Sequence, residues 1–170
     1  MADKTTRKKR GRWIKQIGLY LLLFITTGWG VDYWRSLSMA SGTAPALVVT
    51  PVQGEEIDLR ILSQEKPVLV YFWATWCGFC SIVSPSVDFV SDYYQVVTVA
   101  LNSGDQKRIQ QYLQAKNYSF SVVNDPKGQI SREWGVSVTP TIFVISKGEI
   151  KSVTTGFTTP IGIWLRLLTT

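Results

Sequence analysis

The chain has two cysteines, and they stand two residues apart in Trp76-Cys77-Gly78-Phe79-Cys80, directly after the apolar stretch 68–74. A continuous run of Val, Leu, Tyr, Phe and Trp ending at a short turn predicts a strand buried on both faces. Two residues of spacing lets both sulfurs sit on the first turn of a helix that follows the strand, which suits a reversible disulfide.

With 170 residues, 45% of them hydrophobic, the chain has room for one packed domain plus appendages. Its net charge of +6 is concentrated at one end, because residues 1–15 hold seven basic side chains against the single acid Asp3. The rest is balanced, with no field to attract phosphates, so nucleic acid is not an expected partner. There is no histidine, which removes imidazole metal sites and any histidine base from consideration.

Residues 1–12 read as a basic cytoplasmic segment and 13–31 as a single transmembrane signal-anchor helix. Trp13 and the group Trp29, Tyr33 and Trp34 bracket the span at about 24 to 32 Å, near the hydrocarbon thickness of a bilayer. The basic flank orients it as a single-pass protein with the C-terminal part exported. Cleavage after Ser38-Met39-Ala40 is the alternative to a retained anchor. An oxidising compartment fits the paired cysteines.

Residues 32–45, rich in Ser, Gly, Ala and Thr, read as a linker, and 46–170 as the domain. Residues 47–49 and 57–61 predict a hairpin around Gly54, and 68–73 the central strand. A helix is expected over 78–94 with Pro85 inside it. A strand at 96–101 precedes a helix whose capping box is Ser103 with Gln106. A short strand at 120–123, a turn at 124–128, a brief helix at 130–134, and strands at 141–145 and 151–155 follow. Thr159 caps a final helix with Pro160 at its first position, and Ile161, Trp164, Leu165 and Leu168 share one face. The tryptophans and tyrosines at 93, 94, 112, 134 and 164 read as core or rim packing. The pattern is α/β with a mixed central sheet flanked by helices.

The exported part resembles the thioredoxin superfamily, and within it the membrane-tethered TlpA-like and ScsD-like proteins. The resemblance rests on residues 68–80, on Pro85 five residues after the second cysteine, on Trp134-Gly135-Val136-Ser137-Val138-Thr139-Pro140-Thr141, and on Lys147-Gly148. It implies a thioredoxin-like fold with a TlpA-type central insertion around 96–123, and a protein disulfide oxidoreductase activity. ScsD-like proteins are associated with copper tolerance. The chain departs from the pattern in three places: Phe79 stands where thioredoxins have Pro, Tyr71 where they have a buried Asp, and Val83 where many TlpA-like proteins have Glu. Proton handling for the buried thiol then falls to water, Glu55 or Glu56.

The resemblance implies Cys77 as nucleophile and Cys80 as the resolving thiol, with Trp76, Gly78 and Phe79 around them. It also implies Thr139-Pro140, joined by a cis bond, opposite the pair. The redox-active disulfide is the only cofactor expected. Exported thiol and disulfide proteins are the expected partners, and a transmembrane thiol reductase the expected electron donor. A helix N-terminus favours a thiolate at Cys77, and no histidine lies between the cysteines to lower its pKa further, so a reductant or isomerase-like role is favoured. Remaining alternatives are a disulfide-forming oxidant, a periplasmic copper or other metal carrier using both sulfurs, a static disulfide, and a peroxidase.

Overall fold

The computed structural model describes residues 13, 16–20, 22–23, 26–27, 40–52, 54 and 56–170, and the chain divides into two units, Met1–Ser38 and Met39–Thr170. In the first unit, the described residues 16–20, 22–23 and 26–27 are helical. Ile17, Leu19, Leu22 and Leu23 are exposed on it. Among the described residues no helix is long and apolar enough to cross a membrane. The basic segment 1–12, residues 32–39 and the remaining positions of the expected span lie outside the described residues.

The second unit is built on a six-stranded sheet in the order β1-β8-β7-β4-β5-β6. Its strands are β1 (Gly42–Thr43), β4 (Val68–Trp73), β5 (Gln95–Leu101), β6 (Ser121–Asp125), β7 (Thr141–Ser146) and β8 (Glu149–Thr155). Strands β4, β5 and β6 run parallel, while β7, β8 and β1 continue the sheet antiparallel. A separate hairpin pairs β2 (Val48–Val49) with β3 (Ile57–Asp58). The helices are α1 (Leu59–Glu65), α2 (Cys80–Ser91), α3 (Gln106–Lys116), α4 (Gln129–Glu133) and α5 (Pro160–Leu168).

All six residues of β4 are buried, as a strand covered on both sides requires. Side chains alternate across it: Leu69, Tyr71 and Trp73 join Val83 and Val87 of α2, Ile109 of α3, and Ile163 and Leu167 of α5. On the other face Val68, Val70 and Phe72 pack with Leu59 of α1, Trp134 and Phe143. Helices α2, α3 and α5 thus cover one face of the sheet.

Three expectations are corrected. The run 57–61 is not one strand, because the Asp58 carboxylate accepts the N–H of Arg60 at 2.8 Å and starts helix α1 at Leu59. Ser103 is not the cap of α3; Asp105 is, accepting the Arg108 N–H at 2.8 Å. The stretch 40–45 is sheet edge, not spacer. Gly42 and Thr43 pair with Ile150 and Glu149, and the N–H groups of Ala40 and Ala44 donate to Trp134 and Gly148. In α5 the residues Ile161, Trp164, Leu165 and Leu168 share a face, as expected; it is the exposed one, and Ile163 and Leu167 are buried.

Candidate redox site

Strand β4 ends at Trp73, and residues 74–79 carry the chain to Cys80 at the start of α2. Functional groups in open α/β sheets gather outside the carboxyl ends of parallel strands, and these residues lie there. The loop is clamped from behind by the connection between β5 and α3. The Thr75 N–H donates to Ser103 Oγ at 3.0 Å, whose own hydroxyl donates to the Leu101 carbonyl at 3.0 Å. The indole N–H of Trp76 donates to the Asn102 carbonyl at 3.1 Å, and the Cys77 N–H to Ala74 at 3.2 Å. The clamp is itself held to β6, since Asn102 N–H donates to Asp125 O and Asn124 Nδ2 to Gly104 O.

Cys77 and Cys80 form a disulfide with Cα atoms 5.3 Å apart. Cys80 is fully buried, whereas Cys77 is half-buried. The backbone N–H of Cys80 donates to Cys77 Sγ at 3.1 Å. An amide of the first helical turn is thus aimed at the sulfur that solvent reaches, the arrangement that favours a thiolate there after reduction.

The expected residues come together around the pair. The Thr139 carbonyl oxygen lies 3.6 Å from Cys77 Sγ, and the Thr139–Pro140 bond is cis. Pro140 is buried, with its carbonyl accepting the Gly156 N–H at 2.9 Å. Trp76 and Phe79 are exposed on either side of Cys77, and the Phe79 carbonyl accepts the N–H groups of Ile82 and Val83. Gly78 is exposed with nothing within 4 Å of a Cβ placed on it, so its size is not enforced by packing.

Of the groups expected to handle the Cys80 proton, Glu56 is placed away from the site. Glu56 lines a cavity with Gln95 and Ser121, the first residues of β5 and β6, which is the opposite end of the sheet from the cysteines. Glu55 lies outside the described residues. Where thioredoxins carry their buried Asp, the Tyr71 hydroxyl shares a hydrogen bond of 3.1 Å with Ser84 Oγ, and burial pushes the phenol pKa far up. Ser84 is one helical turn beyond Cys80 on α2. Ser84 and Asn102 were passed over by sequence reasoning, while Tyr71 was marked only as a departure from the thioredoxin pattern and Ser103 only as a helix cap. Of these only Tyr71 carried a signal, a polar atom in an otherwise apolar strand.

Residues 41–153 match the AhpC/TSA family. The chain belongs to that family. It is 44% identical over 122 residues to a thioredoxin-like protein of Haemophilus influenzae, spanning 71% of this chain and 73% of that one. It is 30% identical to the thiol-disulfide oxidoreductase ResA of Geobacillus thermodenitrificans, over 88% of this chain and 90% of the relative. The crystal structure of StoA from Bacillus subtilis superposes with a TM-score of 0.63 at 25% identity, covering 74% of this chain and 97% of StoA. This AhpC/TSA protein is a thioredoxin-like oxidoreductase, and its cysteine pair at disulfide distance supports thiol–disulfide exchange.

Proposed function

We propose that this protein reduces disulfides in exported proteins, as a membrane-tethered member of the TlpA-like and ScsD-like type, with its domain on the periplasmic side of a bacterial inner membrane. The observation that carries the reading is the asymmetry of the pair: a reachable Cys77 sulfur that receives the Cys80 amide, beside a fully buried Cys80. In the reduced form the Cys77 thiolate attacks a substrate disulfide, and the electron pair leaves on the departing substrate sulfur. Cys80 then loses its proton to water and attacks Cys77 Sγ, releasing the second substrate sulfur as a thiolate and closing the Cys77–Cys80 disulfide. The substrate is reduced by two electrons and the pair is oxidised by two.

Trp76 and Phe79 flank the incoming sulfur. Proline at 140 has no N–H to compete, which leaves the Thr139 backbone free for an extended substrate strand. Gly78 keeps the approach open. The disulfide is the sole cofactor, and a transmembrane thiol reductase restores the dithiol. The exposed side chains of Ile17, Leu19, Leu22 and Leu23 and the basic residues before them in the sequence support a single-pass anchor.

Equilibrium titration of the pair against glutathione, with capture of substrates on Cys80→Ser, tests the reading. A potential below about −200 mV with mixed disulfides formed through Cys77 is the expected result. A value near about −120 mV would instead mark an oxidant. Tight stoichiometric copper binding under anaerobic conditions, with no insulin reduction, would mark a metal carrier.

A further inference from the structure

Helix α2 does not present the charged outer face usual for a surface helix. Phe79, Ile82, Phe89 and Tyr93 fall within one narrow arc at helical spacing. Ile82 is 56% exposed, Phe89 56% and Tyr93 65%, and the last two rings meet at 5.5 Å between centroids. The stripe begins at Phe79, next to the disulfide, and runs about 15 Å along the helix to Phe89. Helix α5, packed beside α2 on the same side of the sheet, turns outward an equally apolar face that includes Trp164, 48% exposed. Exposed apolar area on this scale marks an interaction surface.

We infer that this layer is the docking surface for a protein redox partner whose cysteine lies beside an uncharged, apolar segment. The inference rests on the exchange reading above and extends it to the class of partner. Continuity with the disulfide is the first argument, since the stripe opens at the exposed Phe79, between the two cysteines in the chain. Charge is the second. Between Lys66 and Tyr93 the only ionised side chains are Asp88 and Asp92, and Asp88 is occupied by the Ser119 N–H and hydroxyl at 2.7 and 3.2 Å. The single charge of α5, Arg166, donates to the Gly162 carbonyl at 2.8 Å. Apart from the exposed Asp92 at the far end of α2, a charged partner therefore finds little to pair with here. A bilayer is a poorer occupant, because lipid-seated helices carry a rim of Lys and Arg, and α2 has one carboxylate, Asp88, with Asp92 just past its end, and no cation.

The test uses the full chain in lipid nanodiscs, with Cys80→Ser to stop resolution and Cys77 reduced. Two peptides carry one cysteine each as a thionitrobenzoate mixed disulfide. In one, the cysteine is followed by about 15 residues of amphipathic helix with Leu and Phe on one face; in the other, Ser replaces them. Cys77 attacks the peptide sulfur, the Cys77–peptide disulfide forms, and the electron pair leaves on coloured thionitrobenzoate. The apolar peptide should react at least about tenfold faster, and Phe89→Ser with Trp164→Ser should abolish most of that preference. The glutathione–thionitrobenzoate disulfide should react equally with both proteins, which also reports that the variant is folded. Equal rates for the two peptides, or a preference that survives the double substitution, would overturn the docking surface. So would a surviving preference with cross-linking between copies, or quenching by brominated lipid, in the unsubstituted protein alone; the occupant would then be a second copy or the bilayer. A sluggish reaction with the glutathione reagent would strike the exchange reading itself, and the docking surface with it.

Discussion

Tyr71 is fully buried on β4 and bonded to Ser84, and desolvation holds its phenol neutral well past the ordinary tyrosine range. It cannot act as a base toward Cys80 at any physiological pH, so its contribution is structural. Tyr71→Phe should cost about 1 to 3 kcal/mol, because Ser84 is left without its partner. The sign of the pH dependence follows from the raised folded-state pKa: the contribution is fully present below about pH 10, the unfolded value, and is lost as pH rises above it. Urea midpoints of both proteins at about pH 8 and about pH 11 should show the gap narrowing at the higher pH. Ser103 is the second such residue, accepting the Thr75 N–H and donating to the Leu101 carbonyl. Ser103→Ala frees the Thr75 N–H and should cost about 1 to 2 kcal/mol. By loosening the loop over the Cys80 amide it should also move the midpoint of Cys77 alkylation upward, toward the free-thiol value of about 8.5, readable from the pH dependence of alkylation of the reduced protein.

At the level of elements, α5 shows how a helix of nearly uniform apolarity is oriented. Every position from Pro160 to Leu168 except Gly162 and Arg166 carries a sizeable apolar side chain, so no sequence contrast marks the inner face. The sheet and α2 take Ile163 and Leu167 because their gap lies there. Leu167→Ala should cost about 2 to 5 kcal/mol, whereas Leu168→Ala, one residue on and exposed, should stay within about 0.5 kcal/mol. Denaturant midpoints of the two variants give the comparison directly. Helix α1 makes the complementary point. Residues 57–61 alternate as a strand would, yet Asp58 offers the backbone a cap that outweighs the alternation, and Ile61 ends up exposed.

For the molecule as a whole, the parallel strands β4, β5 and β6 bring three loops to one end, and the redox pair is held by two of them together with the Thr139–Pro140 loop. If the chain is anchored as proposed, its full length should stay with membranes after alkaline carbonate extraction. Cys77, once reduced, should be alkylated in intact spheroplasts by a reagent that does not cross the bilayer. Release into the soluble fraction, or protection of Cys77 until lysis, would count against a tethered, outward-facing domain.

Much of the site was readable from the residues in order, because its chemistry is local: the paired sulfurs, the helix that begins at the second of them, and the apolar strand before them are all set within 68–80. The Thr139–Pro140 segment was located by resemblance of pattern, since nothing in a Thr-Pro dipeptide says that it will face a sulfur 62 residues earlier in the chain. The clamp through Ser103 and Asn102, the buried Tyr71–Ser84 pair, the edge strand at 42–43 and the inner face of α5 emerge only in three dimensions. Each depends on which partner is present across the sheet, and short-range propensity carries no information about a hydrogen-bond acceptor or a gap contributed by a distant segment.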